Sequence, residues 1–237
     1  MKKKEKIKYA QTIITQLWRI PEDSFLQIEN LILETDRTFF EIISFGYNAV
    51  IMADEKILDW CVKNFADVPA ADILDGEHLF KIESKLREHG KKLSGEHTRY
   101  LHLNSEVISQ KPELFTFEIY EKERLAELYE DSRFDNALNY EKRGEALAII
   151  ARKDREIAAI VGADTYNTGF WQIGIDTMPD YRGYGLAAYL VKEMALEIEK
   201  RGHVPFYITW SANLASIRTA LAAGFQPVWI GYWAEDL

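Results

Sequence analysis

Two glycines separated by one residue stand between a predicted strand and a predicted helix, and this junction most limits how the chain can fold. Alternating apolar residues predict the strand at 170–177, and Pro179 ends its pairing. An apolar stripe at helical spacing predicts the helix over 186–198. Gly183 and Gly185 allow backbone conformations that a side chain forbids. Because the first amides of a helix have no internal partner, the junction is suited to binding a phosphate.

Two other interpretations of these glycines remain. They can simply make a tight turn. Alternatively, Gly183, Gly185 and Ala188 match a dinucleotide-binding fingerprint, which requires an acidic residue about 20 positions further on. The predicted strand there ends Thr209-Trp210-Ser211 and contains no acid. Only about 50 residues follow the two glycines, too few to complete a doubly wound sheet.

The second half of the chain predicts a mixed sheet. Four strands joined by short connections or by a polar helical region at 121–140 are predicted, at 115–120, 146–151, 157–163 and 170–177. After the helix come a strand at 206–210, a short helix capped by Asn213, and a last strand at 225–233. A strand–helix–strand crossover added to an antiparallel meander gives an α/β fold with a mixed sheet.

The first half also alternates helices and strands. Helices are predicted around 7–17 and 79–86, and strands at 38–43, 48–52 and 98–103. The polar stretch Ser109-Gln110-Lys111-Pro112 is the predicted boundary, because proline disfavours helix in the residue before it. We therefore predict an N-terminal domain at 1–111 and a second domain at 112–237.

Composition limits the partners. The 237 residues include 29 Lys and Arg and 38 Asp and Glu, a net charge of −9, which argues against nonspecific nucleic-acid binding. No apolar run approaches the roughly 20 residues of a membrane helix, and the start MKKKEKIK is not followed by a signal-peptide core. A cytoplasmic location is expected. Cys61 is the only cysteine and the five histidines lack ligand spacing, so no metal site is predicted.

The run Arg182-Gly183-Tyr184-Gly185-Leu186-Ala187 resembles the Arg/Gln-x-x-Gly-x-Gly/Ala signature of the GNAT superfamily of N-acetyltransferases. Its setting is similar too: a Thr-Met-Pro lead-in, a helix, a strand, Asn213, and Gly224-Phe225 eleven residues later. The whole chain also resembles bacterial acetyltransferases related to zwittermicin A resistance proteins. That narrower resemblance rests on short sequence segments such as Trp171-Gln172-Ile173-Gly174-Ile175-Asp176 and Trp210-Ser211-Ala212-Asn213.

The resemblance implies acetyl-CoA as cofactor. The pantetheine arm is then expected along the strand end Ile175 to Thr177, the pyrophosphate on amides of Gly183 to Ala188, and the family's asparagine at Asn213. The implied cofactor-binding residues are Ile175, Thr177, Arg182, Gly183, Tyr184, Gly185, Leu186, Ala187, Ala188 and Asn213.

The implied reaction is acyl transfer from a thioester to an amine, which needs a group to accept the amine's proton. Many family members use a glutamate on the strand, and none lies between Phe170 and Thr177. Asp176 is the predicted base, with anchoring of the loop before Arg182 as its structural alternative. The amide of Thr177 is the predicted oxyanion donor. Ala220 stands where many relatives have a tyrosine acid, and Tyr207 and Tyr232 are the substitutes considered.

The expected function is N-acetylation of a small amine, an antibiotic or an amino-metabolite. The alternatives are a non-catalytic acyl-CoA-binding module and acetylation of proteins. Residues 113–145 hold ten acids and five bases, which favours a cationic acceptor unless this is simply a solvated surface. The N-terminal domain is a candidate for shaping the acceptor pocket. A homodimer is kept as an alternative to a monomer.

Overall fold

Strands and helices alternate along the chain, which a computed structural model describes over residues 1–138, 144–167 and 169–237. The helices are α1 (Lys3–Trp18), α2 (Glu55–Phe65), α3 (Ala70–Ile73), α4 (Gly76–Arg87), α5 (Leu186–Lys200) and α6 (Leu214–Ala222). The strands are β1 (Leu31–Glu34), β2 (Phe40–Ser44), β3 (Ala49–Ala53), β4 (Lys91–Leu93), β5 (His97–His102), β6 (Thr116–Glu121), β7 (Glu145–Lys153), β8 (Glu156–Asn167), β9 (Phe170–Thr177), β10 (Val204–Trp210) and β11 (Phe225–Asp236). The predicted α/β class is confirmed.

Packing divides the chain into two compact units, each assembled from several segments. The larger unit holds Met1–Ile7, Tyr100–Thr209 and Asn213–Pro227. The smaller unit holds Lys8–Arg99, Trp210–Ala212 and Val228–Leu237. The predicted division into 1–111 and 112–237 treats each domain as one continuous segment, and it stays a prediction.

The larger unit contains the mixed sheet that the sequence predicts. β6, β7, β8 and β9 are antiparallel neighbours in that order, because each is joined to the next by a connection that reverses the chain. After β9 the chain forms α5 and returns as β10, which lies parallel to β9. The crossover places α5 against one face of the sheet, with its first residues at the end of β9.

Apolar burial fixes α5 on that face. Its stripe Leu186, Leu190, Met194 and Ile198 is buried in one cluster with Val161 of β8 and Ile173 of β9. The helix ends as predicted at a glycine: Gly202 has a left-handed φ of 82°, and the amide of His203 donates to the carbonyl of Ile198 at 3.1 Å.

The opposite face is covered by the segment between β6 and β7, and here the helical region predicted at 121–140 is confirmed only in part. The described part contains two short 3₁₀ helices, Lys122–Glu127 and Ser132–Phe134, while residues 139 and 140 lie outside the described residues. Leu125, Phe134 and Leu138 are buried against Ile150 and Ile160. The reason for the irregular backbone is that residues 136 and 137 lie directly on the sheet.

This close contact requires two glycines that sequence reasoning passed over. Gly162 of β8 and Gly174 of β9 are direct partners in the ladder and share one face. A Cβ at Gly174 would lie 1.8 Å from the carbonyl oxygen of Asn136, and one at Gly162 would lie 1.9 Å from that of Ala137. Any side chain at either position therefore collides with backbone rather than with a movable side chain.

The smaller unit has its own core and its own strand pairings. β1 is parallel to β3, β3 is antiparallel to β2, and the end of β11 pairs with both β2 and β4. α2 and α4 supply the buried residues Ile57, Cys61, Phe65, Ile82 and Leu86. Burial raises the pKa of the Cys61 thiol to about 12, so Cys61 packs as a small apolar group.

No helix in the described ranges is long and apolar enough to cross a membrane. Within those same ranges, no three His, Cys, Asp or Glu side chains are arranged to hold a metal ion.

Gly174→Ala is expected to lower the free energy of unfolding by about 1–3 kcal/mol, because the new methyl group displaces the backbone at Asn136. Urea unfolding followed by circular dichroism measures this. Gly76→Ala is the control, since Gly76 begins α4 with nothing within 4 Å of an added Cβ. A Gly174→Ala protein that unfolds at the native urea concentration would contradict the close contact.

Candidate functional site

The site begins where β9 and β10 stop pairing. Their parallel ladder joins Phe170–Gln172 to Val204–Phe206. Beyond Gln172, β9 pairs only with β8 among the described residues. That pairing continues to Thr177, which lies opposite Ala159. The backbone from Ile173 to Thr177 therefore presents an open edge on the side of β10, with hydrogen-bonding groups available to another extended chain.

The two glycines of the signature lie just past this open edge. Gly183 and Gly185 have φ values of 86° and 71°, a left-handed conformation that side chains rarely adopt, and an added Cβ at either would meet nothing within 4 Å. Gly185 is the N-cap of α5 and makes no side-chain capping bond. The first amides of this 15-residue helix thus lack a side-chain acceptor on the open side of the turn.

A cavity of about 730 Å³ joins the strand edge, the glycine turn and the start of α6. The predicted residues that line it are Ile175, Asp176, Thr177, Arg182, Gly183, Gly185, Leu186, Ala187, Ala188 and Asn213. Tyr184 is the predicted cofactor residue that is not among the lining residues. Its ring is 55% exposed and packs edge-on against Phe115, with 6.0 Å between ring centroids.

Sequence reasoning missed the contribution of α6. The cavity is also lined by Ala215, Ser216, Arg218, Thr219 and Ala222 of this helix, and by Tyr181 and Tyr207. Asn213 caps α6 as predicted, with its Oδ1 accepting from the amide of Ser216 at 3.1 Å. The cap was the available signal, because it fixes where α6 begins and hence which of its residues face the cavity.

Two arginines give the cavity a positive potential. Arg182 donates from Nε to the carbonyl oxygen of Thr177 at 3.3 Å, which ties the glycine turn to the strand end. Arg218 reaches the cavity from α6. Together with the amides at the start of α5, these cations favour an anionic ligand.

Tyr207 brings a buried hydroxyl to the cavity. It follows the last residue of β10 that pairs with β9, it is 2% exposed, and its Oη lies 2.7 Å from Oγ of Ser216. Burial raises the pKa of Tyr207, and the nearby Asp176 carboxylate and Tyr100 raise it further, against the lowering effect of Ser216. The phenol is therefore protonated at neutral pH and available as a hydrogen-bond donor.

The other positions considered for a proton donor have different surroundings. Ala220 lies on the buried face of α6, in the core. Tyr232 belongs to the smaller unit, where its hydroxyl donates to Oε2 of Glu96 at 3.0 Å. Burial raises the pKa of Tyr232 as well.

Asp176 lines the cavity, and its carboxylate holds the segment that lies on the sheet. Oδ2 accepts from the amides of Asn136 at 2.8 Å and of Ala137 at 2.9 Å, and Oδ1 accepts from Nδ2 of Asn136 at 2.7 Å. The alternative predicted for Asp176 was a structural role, in which its carboxylate anchors the loop before Arg182. Its hydrogen bonds instead anchor the segment before β7. The role of Asp176 as a base stays a prediction.

The chain belongs to the GNAT acetyltransferase family. The family model described as GNAT acetyltransferase matches residues 71–229, two thirds of the chain. The match includes the glycine turn, α5 and α6, so the cavity lies within the family's own region. No curated protein matches the chain.

Solved structures with similar folds include several acetyltransferases. A putative GNAT acetyltransferase from Novosphingobium aromaticivorans is 20% identical over 61% of this chain and 66% of its own, with a TM-score of 0.45. An acetyltransferase of the same family from Colwellia psychrerythraea is 17% identical over 60% and 57%, with a TM-score of 0.45. A GCN5-related N-acetyltransferase-like protein from Streptococcus suis is 17% identical over 68% and 69%, with a TM-score of 0.49. The first two are thus matched over less than two thirds of their length.

Asp176→Asn is expected to lower the free energy of unfolding by about 1.5–3 kcal/mol, because two backbone amides lose a charged acceptor. Thermal and urea unfolding of the variant and of the native protein measure the change. A variant as stable as the native protein, but without activity, would instead favour Asp176 as the base.

Proposed function

We propose that the protein transfers an acetyl group from acetyl-CoA to a primary amine of a small molecule. The observation that carries this is the single cavity in which an open strand edge, an uncapped helix start and two arginines meet. Family membership supports the acetyltransferase class. The choice of acetyl-CoA is supported by the chemistry of the cavity, and the choice of an amine by the resemblance of the glycine signature to that of N-acetyltransferases.

The anionic end of CoA fits the glycine turn. The amides from Gly183 to Ala188 are proposed to hold the pyrophosphate, and the open space above both glycines leaves room for its oxygens. Arg182 and Arg218 would neutralise further phosphate charge. On the cavity side, the fold leaves each of these groups available to form hydrogen bonds with a ligand.

The amide-bearing arm of CoA fits the open edge of β9. Backbone groups from Ile175 to Thr177 would pair with it in place of the missing β10 ladder. Asn213 stands across the cavity at the start of α6, and it can contact the arm while its Oδ1 caps the helix. The arm would then point from the glycine turn toward Gln172, where β9 and β10 converge.

When bound, acetyl-CoA supplies a thioester whose carbonyl carbon the amine attacks, with release of a thiol. The amide of Thr177 is proposed as the donor to the carbonyl oxygen. Tyr207 is proposed to donate its phenolic proton to the departing sulfur. It would thus serve in place of the tyrosine found in many relatives, whose position is occupied here by Ala220. Ser216, 2.7 Å from Tyr207, would orient the hydroxyl.

The amine must lose a proton before or during attack. Asp176 remains the proposed base, although three donors already occupy its carboxylate. The raised pKa of Tyr207 has the Asp176 charge among its causes, which means that the two groups lie within electrostatic range of each other. Water in the cavity is the alternative route for the proton.

The acceptor is proposed to be a cationic antibiotic or amino-metabolite. The excess of acids at 113–145 supports a cationic acceptor. We further propose a relationship to the zwittermicin A resistance-like acetyltransferases and a cytoplasmic location. The net charge of −9 supports a function without nucleic acid, and nothing in the proposed chemistry requires a second subunit.

A non-catalytic acyl-CoA-binding module is the second candidate. The hydrogen bonds of Asp176 favour it, because a carboxylate that anchors Asn136 and Ala137 is less available as a base. The buried alanine at position 220 favours it too, since the family's usual acid is missing there.

Thiol release separates the two candidates. With acetyl-CoA and a panel of small amines, we expect thiol to appear in proportion to acetylated amine. Tyr207→Phe should lower kcat about 100-fold with little change in acetyl-CoA affinity, because only the donated proton is lost. Tyr47→Phe is the control, since Tyr47 is 75% exposed and belongs to the smaller unit. Binding of acetyl-CoA without thiol release from any amine or peptide would favour the binding module.

A further inference from the structure

A second cavity lies in the smaller unit, at the end of α1, and we call it the α1 cavity. Its volume is about 970 Å³, compared with about 730 Å³ for the cavity at the glycine turn. Its lining comes from the end of α1 and the loop that follows, from the end of β1 and its following turn, and from β3. Every lining residue belongs to the smaller unit, so the α1 cavity is separate from the proposed cofactor site.

The inner surface of the α1 cavity is apolar. Leu33 of β1 and Met52 of β3 are ladder partners, so their side chains share one face of the strands. Met52 is 5% exposed. Leu17, Trp18 and Ile20 add aliphatic and aromatic surface from the other side. An apolar body can therefore be buried here.

Hydrogen bonds and ring packing hold the two sides of the cavity in place. Arg37 donates from Nη1 to the carbonyl oxygen of Leu17, which joins the turn after β1 to the end of α1. The amide of Arg37 donates to Oγ1 of Thr35 at 3.2 Å. The ring of Trp18 packs 6.5 Å from that of Phe25, which is fully buried. The cavity is therefore preformed by the fold.

Arg19 stands at a position where a glycine is the usual residue. It follows the last residue of α1 and has a left-handed φ of 57°, while the amide of Ile20 donates back to the carbonyl of Thr15 at 3.0 Å. A helix that ends in this way normally has glycine at the left-handed position, because a side chain strains the backbone there. The strained residue lines the α1 cavity and brings a guanidinium to it. Strain of this kind is typical of binding sites.

Four charged side chains surround the apolar surface, two of each sign. Arg19, Glu34, Asp36 and Arg37 all line the cavity and are exposed. None of them belongs to an ion pair within residues 1–138, 144–167 and 169–237. The cavity also lies at the carboxyl end of the 16-residue α1, where the helix dipole favours a positive group. A ligand with one carboxylate and one ammonium group matches these surroundings.

We infer that the α1 cavity binds an apolar zwitterion, with its carboxylate on Arg19 and Arg37. Its ammonium group lies near Glu34 and Asp36, and its apolar side chain rests on Leu33 and Met52. A free amino acid and a short peptide share this chemistry. The smaller unit thus has a ligand site of its own, which does not depend on the acetyltransferase reaction.

Calorimetric titration with L-leucine and with L-leucyl-L-leucine tests the ligand class, and the tighter of the two identifies the source as amino acid or peptide. Two analogues are matched to leucine: 3-methylbutylamine lacks the carboxylate, and 4-methylpentanoate lacks the ammonium group. For the peptide, the C-terminal amide and the N-acetyl form remove the same charges. Each analogue should bind at least tenfold more weakly than its parent, because one charged contact is lost.

Arg19→Gly locates the site without endangering the fold. Glycine favours the left-handed φ of this position, so the thermal stability of the variant should equal or exceed that of the native protein. Its affinity for the zwitterion should nevertheless fall at least tenfold, because the carboxylate loses a guanidinium. Asp154→Gly is the control, since Asp154 also has a left-handed φ, 54°, but belongs to the larger unit.

The inference is overturned if neither leucine nor leucyl-leucine binds saturably to the native protein at concentrations up to about 10 mM. Equal affinity for a parent ligand and its two analogues also overturns it, because the charges would then contribute nothing. Unchanged affinity in Arg19→Gly, or an equal loss in Asp154→Gly, would place the binding elsewhere. These readouts need no turnover, so they stand whether or not the proposed acetyl transfer is observed.

Discussion

The end of the β9–β10 ladder at Gln172 and Phe206 is the constraint on which the larger unit depends. It leaves the backbone from Ile173 to Thr177 with one open edge, beside the turn that starts α5. The same divergence separates Tyr207 from β9 and makes room for the cavity. The GNAT fold thus brings backbone amides, two arginines and a buried phenol together at one cavity.

A second constraint lies on the opposite face of the sheet. There a pair of glycines allows the backbone of the covering segment to pack directly on the strands. Gly162 and Gly174 leave no space for a side chain, and Asp176 holds the covering segment through Asn136 and Ala137. One carboxylate therefore links the cavity at the end of β9 to the segment that covers the sheet.

Local patterns predicted most of the fold. Period-two alternation marked β6, apolar runs between short turns marked β7 to β9, the apolar stripe marked α5, and Asn213 marked the start of α6, because each depends on residues close in sequence. The helical region predicted at 121–140 forms only short 3₁₀ helices in its described part, because the segment packs onto Gly162 and Gly174, which are distant in sequence. For the same reason Arg218 and the Tyr207–Ser216 pair were missed as parts of the cavity: their contribution depends on how α6 and β10 pack.

Calorimetric titration with acetyl-CoA tests the central claim most directly, with two glutamate variants at opposite ends of α5. Gly185 and Gly202 both have left-handed φ values, 71° and 82°, and nothing within 4 Å of an added Cβ. Gly185→Glu and Gly202→Glu therefore introduce the same backbone strain and the same negative charge. Only Gly185→Glu introduces them at the start of α5. The account predicts saturable binding by the native protein and by Gly202→Glu, and loss of binding in Gly185→Glu. No binding by the native protein, or equal binding by all three, would contradict it.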